Sequence, residues 1–160
     1  MDGRILVAHH DGVYLMKFTG DVRVTLCTTV DSFLDSMFRD VLFKSVIVDL
    51  SDAECIDSTS LGILAKLSIQ AQSRFDYLPV LVSINPDITR LLKSMGFEDV
   101  FQIVEDKIEN ADQLGELPKI NSSDEDIRKR VIEAHRILMA MNENNRAAFH
   151  DLVETLEAAS

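Results

Sequence analysis

The stretch from Val46 to Leu67 constrains the fold more than any other part of the chain. Val46-Ile47-Val48-Asp49-Leu50 is a short apolar run bounded by polar residues, the pattern of a buried strand, and Leu61, Ile63, Leu64 and Leu67 then recur at helical spacing. Between them lies Cys55-Ile56-Asp57-Ser58-Thr59-Ser60, rich in hydroxyls. A helix start leaves backbone N–H groups unpaired and carries a partial positive charge, so a polar cap there contributes about 1 kcal/mol. Asp57 and Ser58 both meet that need, and the helix they open runs to about Phe75. Spacing alone leaves open whether Asp-Ser-Thr-Ser is only a capping cluster or a site.

The surrounding pattern alternates strands with helices. Arg4–Ala8 and Gly12–Phe18 flank His9-His10-Asp11-Gly12, and an Asp-Gly pair between apolar runs marks a hairpin, with the two histidines at its rim. Val30, Phe33, Leu34, Met37, Phe38 and Val41 predict a helix over Thr29–Val41 behind a Thr or Asp cap. Ser45–Leu50 returns as strand, Pro79–Ile84 is a further buried strand, and Asn85-Pro86-Asp87 starts a helix with Gly96 at its C-terminal cap. Val100–Val104 reads as a last strand and Asp106–Leu114 as a short helix. Such an order implies an α/β fold, a mixed sheet with helices packed on it.

Gly115–Ser123 interrupts the periodicity and is expected as a linker between a domain over 1–114 and an extension over 124–160. In that extension Ile127, Val131, Ala134, His135, Leu138 and Met141 form one helical stripe. Phe149, Leu152, Val153 and Leu156 form a second beyond Asn142-Glu143-Asn144-Asn145, and Ser123 with Asp126 resembles a capping arrangement. The two stripes pack on the domain or on each other, or else offer a second docking surface.

Charge narrows the partner. The chain carries 27 acidic and 16 basic residues for a net −11, which opposes binding to nucleic-acid phosphates and points to a protein partner. Residues 1–114 hold 18 acids against 10 bases, so the domain bears most of the acidity. At 160 residues, about 68–70% of the unfolded surface can be buried, enough for a core. Cys27 and Cys55 show neither metal nor disulfide spacing and are expected as buried free thiols. His9, His10, His135 and His150 lack metal-ligand clustering, and no cofactor motif is present. No apolar run reaches ~18 residues and no signal-peptide pattern opens the chain, so membrane insertion is not expected and the cytoplasm is.

Asp57-Ser58-Thr59-Ser60-Leu61-Gly62, after a Val-Asp-Leu strand and before an apolar helix, resembles the signature of STAS domains, specifically bacterial anti-sigma factor antagonists. Phe18-Thr19-Gly20-Asp21-Val22 and Leu91-Leu92-Lys93-Ser94-Met95-Gly96-Phe97 are similar to further family segments, and the resemblance covers about residues 4–114. The commoner family pattern has Gly where this chain has Ser60. The resemblance implies a STAS-like mixed β-sheet flanked by helices, here with a C-terminal helical extension. It further implies that Ser58, with Thr59 as the alternative, is phosphorylated by a cognate serine kinase, a role the anti-sigma factor itself can fill. A serine/threonine phosphatase then resets the switch. Asp21, Asp57, Ser58, Thr59 and Ser60 would contact the anti-sigma factor, which is bound when Ser58 is unmodified and released on phosphorylation.

Other readings weigh less. A hydrolase would want a Gly-x-Ser-x-Gly elbow around Ser58, which is absent, so catalysis is not expected. A phosphoaspartate receiver built on Asp57 would want paired acids on the first strand and a Lys after a later one, and neither is present. The runner-up is a constitutive STAS scaffold in a signalling or lipid-transport assembly, in which Ser58 is only a cap.

Overall fold

The computed structural model describes residues 1–107 and 114–159. It opens with β1 (Arg4–His10) and β2 (Val13–Val22), joined by Asp11 and Gly12 at φ 49° and 85°. Both loop residues are left-handed, as a two-residue turn matched to strand twist requires; Gly takes that backbone freely and Asp is among the few side chains that tolerate it. β2 sends Tyr14, Met16, Phe18 and Val22 inward at alternate positions. β3 (Ser45–Ile56) runs parallel to it along its whole length, pairing Val13 with Ser45 and Val22 with Ile56. Periodicity ended these strands at Phe18 and Leu50; pairing between them carries both to the edge where Asp57 stands, through register shifts after Lys17 and Gly20.

Helix α1 (Cys27–Arg39) begins two residues before the expected Thr29, continuing a single 3-10 turn over Val24–Leu26. Leu26 occupies its N-cap position with no side-chain hydrogen bond, so the turn rather than a Thr or Asp cap starts the helix. α2 (Ser58–Phe75) buries Leu61, Ile63, Leu64 and Leu67 against the sheet. β4 (Val80–Val82) and β5 (Gln102–Val104) add parallel strands shorter than their apolar runs. Between them α3 (Pro86–Ser94) is capped by the Asn85 side chain, and Gly96, at φ 85°, follows its end. The helix expected over Asp106–Leu114 falls largely on residues 108–113, outside the described residues.

A two-residue strand, β6 (Gly115–Glu116), pairs antiparallel with β1 and completes a six-stranded mixed sheet in the order β5-β4-β3-β2-β1-β6. The segment expected as a linker is thereby anchored. Leu117 N–H donates to Ile5 O at 2.9 Å and Ile120 N–H to Thr29 Oγ1 at 2.9 Å, and the Thr28 and Ser122 hydroxyls lie 2.7 Å apart. It delivers α4 (Asp124–Met141), capped by the Ser123 hydroxyl, and α5 (Glu143–Ala158), capped by Asn142. α4 lies on α2 and touches α1, with α5 against α4, so the helices form two tiers over the sheet. Ala134 and Leu138 are buried in the common core.

Candidate functional site

The site grows from the carboxyl-terminal edge of the parallel strands, the usual place for function in an open α/β sheet. Asp57 follows β3 directly and is the N-cap of α2. Its Oδ1 accepts the Ser60 N–H at 2.8 Å and its Oδ2 the Val24 N–H at 2.7 Å. One carboxylate thus pins the first turn of α2 to the turn that leaves β2, which resolves the choice between Asp57 and Ser58 as cap. Ser58 is left free as the first helical residue, half-buried.

Its hydroxyl meets a group from a distant part of the chain. Ser58 Oγ lies 2.8 Å from Nε2 of His135 on α4. The other ring nitrogen, Nδ1, lies 2.7 Å from the carbonyl oxygen of Val131, which can only accept. The Nδ1 proton is therefore committed to Val131, and in the neutral imidazole Nε2 is the acceptor and Ser58 donates. The ring is 2% exposed and meets the edge of Phe149 from α5, with ring centres 4.9 Å apart. In the sequence His135 falls in an apolar stripe, and no motif ties a histidine to Ser58. The available signal was an imidazole among aliphatic residues, which when buried needs a polar partner.

The crossing of α2 by α4 continues along one stripe of α2. At Gly62 the backbones approach so closely that a Cβ would stand 2.3 Å from the Ala134 carbonyl oxygen. One turn on, Lys66 Nζ bridges Asp31 Oδ1 at 2.8 Å and Glu133 Oε1 at 2.7 Å, and Arg130 Nε reaches Asp31 Oδ2 at 3.2 Å. Burial opposes the Lys66 charge, but these carboxylates outweigh it and raise its pKa. At the far end Asn142 and Asn145 both donate to the Met95 carbonyl, at 3.3 and 2.8 Å, where α3 terminates. Thr59 and Ser60 are 5% and 8% exposed in this arrangement.

Asp21 lies beside Cys55 across the β2–β3 pair. The Cys55 thiol donates to its Oδ1 at 3.1 Å, which holds the Asp21 carboxyl below the usual range and pushes the thiol up; the Met1 ammonium at 3.5 Å and Arg23 at 4.0 Å add to the effect on Asp21. Cys55 is therefore a half-buried, hydrogen-bonded thiol rather than a buried one, whereas Cys27 is buried as expected. On α5 the fold gathers His150, Asp151 and Glu154, whose ligand atoms lie within 4.8 Å of one another, a grouping the sequence spacing had not suggested. All three are exposed, and His150 Nδ1 already sits 3.3 Å from Asp151 and 3.7 Å from Glu154.

The STAS domain family matches residues 4–111. The chain belongs to the STAS domain family. Among solved structures, this STAS chain is similar to the anti-sigma factor antagonist SpoIIAA in its unphosphorylated form, at 10% identity and TM-score 0.55, over 68% of this chain and 93% of that one. It is also similar to an anti-sigma factor antagonist from Mycobacterium paratuberculosis, at 21% identity and TM-score 0.57, over 66% and 87%. At these identities the likeness is one of fold. No curated protein matches the sequence. The family match ends at residue 111, so the histidine on Ser58 comes from beyond the STAS match. Among the described residues, no helix is long and apolar enough to cross a membrane.

Proposed function

We propose that this STAS protein is an anti-sigma factor antagonist that works by partner switching in the cytoplasm, with Ser58 as its phosphoacceptor. It binds an anti-sigma factor while Ser58 is unmodified and releases it once a cognate serine kinase has acted; a serine/threonine phosphatase restores the bound form. The observation that carries the reading is the place of Ser58. Asp57 takes the capping work, so the hydroxyl at the first position of α2 is not needed to start the helix. A phosphate there adds about −1.5 to −2 charges at a helix N-terminus whose dipole favours an anion, so the fold tolerates it. The partner, facing a desolvated phosphate near Asp21 and Asp57, does not. Each 1.4 kcal/mol lost is tenfold in affinity, and several such units give a hundredfold or more.

Two enzymatic readings are weaker on physical grounds. A Ser–His pair is half of a nucleophile–base arrangement, but Ser58 sits in regular helical backbone rather than on a strained elbow, and among described non-glycine residues only Asp11 and Asp76 have positive φ. The Ser60 and Leu61 N–H groups that might hold an oxyanion are already taken by Asp57. A phosphoaspartate at Asp57 would take one of the two carboxylate oxygens, each of which already accepts an N–H that pins α2.

One observation favours the scaffold reading as the alternative: the Ser58 hydroxyl already has a partner in His135, so its role could end at the fold. Pull-downs with wild type, Ser58→Ala and Ser58→Asp separate the two. A regulator held by the first two and lost with Ser58→Asp, together with phosphate mapped to Ser58, supports the switch. Retention by all three supports the scaffold. Phosphate on Thr59 with Ser58 unmodified moves the site by one residue.

A further inference from the structure

We propose that the α4–α5 pair is an intramolecular occupant of the α2 face that carries Ser58, so that a macromolecular partner or kinase engages Ser58 only in molecules whose helix pair has swung away. The inference rests on the phosphoserine reading for its biological sense, but its physical content is independent of it.

The pair meets α2 with matched chemistry along three successive turns. His135 Nε2 accepts from Ser58, Ala134 lies over the bare backbone of Gly62, and Glu133 pairs with Lys66. A protein that contacts the start of α2 needs this same stripe. Two further features let the pair open as a unit, although Ala134 and Leu138 reach the common core. It enters through the segment 117–123, held by a few side-chain and edge hydrogen bonds, and polar contacts border the apolar centre of its seam on both sides. The Asp31–Lys66–Glu133 and Arg130–Asp31 network closes one side, and the Met95 carbonyl holds Asn142 and Asn145 at the other end. Binding through a minor open population lowers apparent affinity by the fraction open, so loosening the pair away from Ser58 should tighten binding.

Asn145→Ala and Glu133→Lys loosen it at opposite ends without altering Ser58, Asp57 or Asp21. The first removes a buried donor to Met95, and the second sets two cations together at Lys66. The probe is a maleimide bearing a polyethylene glycol chain, applied to full-length protein with Ser58→Cys in a Cys55→Ser background. Labelling of residue 58 should be at least a hundredfold slower in the folded chain than in urea, and each loosening variant should raise it about tenfold. Hydrogen exchange should show residues 124–158 opening together before β3. In otherwise wild-type protein the same two variants should bind the anti-sigma factor from the pull-down about tenfold more tightly. Labelling that is already fast, or that neither variant changes, overturns the proposal. So does unchanged affinity in a variant whose labelling has risen. If labelling behaves as stated and no form of the protein retains an anti-sigma factor, the cover stands and the partner-switching reading falls.

Discussion

Gly62→Ala tests the crossing of α2 and α4 because it drives two parts of the molecule in opposite directions. An added Cβ would stand 2.3 Å from the Ala134 carbonyl oxygen and 2.6 Å from the Ala134 Cβ, against ordinary contacts of 3.4–4 Å. A backbone carbonyl inside a helix cannot turn aside as a flexible side chain does, so α4 must retreat by about 1 Å, taking His135 and Glu133 from Ser58 and Lys66. Overpacking of this kind costs about 1–3 kcal/mol. Within α2 itself the same change is favourable by up to about 1 kcal/mol, since Ala is the better helix former. Hydrogen exchange resolved by segment separates the terms. Amides of residues 124–158 should lose protection by roughly 5- to 150-fold, while those of β3 hold or gain. If α4 keeps its wild-type protection and the whole protein melts higher by the few degrees that about 1 kcal/mol supplies, the close crossing is refuted.

Two other perturbations read the site and the sheet. Asp57→Ala removes the acceptor for both the Ser60 and Val24 N–H groups, a cap and a tie between elements. It should cost about 2–3 kcal/mol and lower Tm by about 5–10 °C in thermal unfolding; an unchanged Tm would mean the carboxylate does not pin α2. Tyr14, pushed up to about 12 by burial and by its hydrogen bond to Asp40, should stay un-ionised in the folded protein well past its ordinary pKa near 10. Its folded pKa is the raised one, so its contribution is complete below pH 10 and is lost as pH climbs from there toward 12. A tyrosinate absorbance titration in a Tyr77→Phe background should find Tyr14 un-ionised at pH 10, and Asp40→Asn should bring it part of the way down. A folded-state step at the ordinary value would dispose of the contact.

What was legible in the sequence, and what was not, follows from where the controlling interactions lie. The Asp11-Gly12 turn, the Asn85-Pro86 start, the Ser123 cap and the α2 span from Ser58 to Phe75 are local, set by a few neighbouring residues, and each appears in the structure. The extra reach of β3 to Ile56 is not local: Ser51, Asp52 and Glu54 give no apolar signal, and the strand persists there because β2 supplies a partner. The start of α1 was misplaced for a related reason, since the 3-10 turn over Val24–Leu26 is held by Asp57 from 33 residues away. Asp57 and Ser58 were visible as a pair but not separable, because either could cap a helix. Their division of labour depends on Val24 and His135, which only the folded chain brings to them.

That division makes the behaviour of Ser58→Ala informative beyond its use as an unphosphorylatable control. In the wild type the hydroxyl is the donor that satisfies His135 Nε2, and Nδ1 cannot substitute because its proton is held by Val131. Alanine leaves a ring nitrogen, 2% exposed, with no donor. An orphaned buried acceptor costs about 1–3 kcal/mol, and all of it falls on the closed arrangement, since His135 is hydrated once α4 lifts away. The open fraction should therefore rise roughly 5- to 150-fold, and affinity for the anti-sigma factor should rise with it as long as that fraction stays small. Titration calorimetry on full-length wild type, Ser58→Ala and Asn145→Ala decides the point. If Ser58→Ala binds more tightly than wild type, the hydroxyl is a latch that holds the helix pair closed. Equal affinity for Ser58→Ala beside a gain for Asn145→Ala would show that the helix pair closes over the site without help from the Ser58–His135 hydrogen bond.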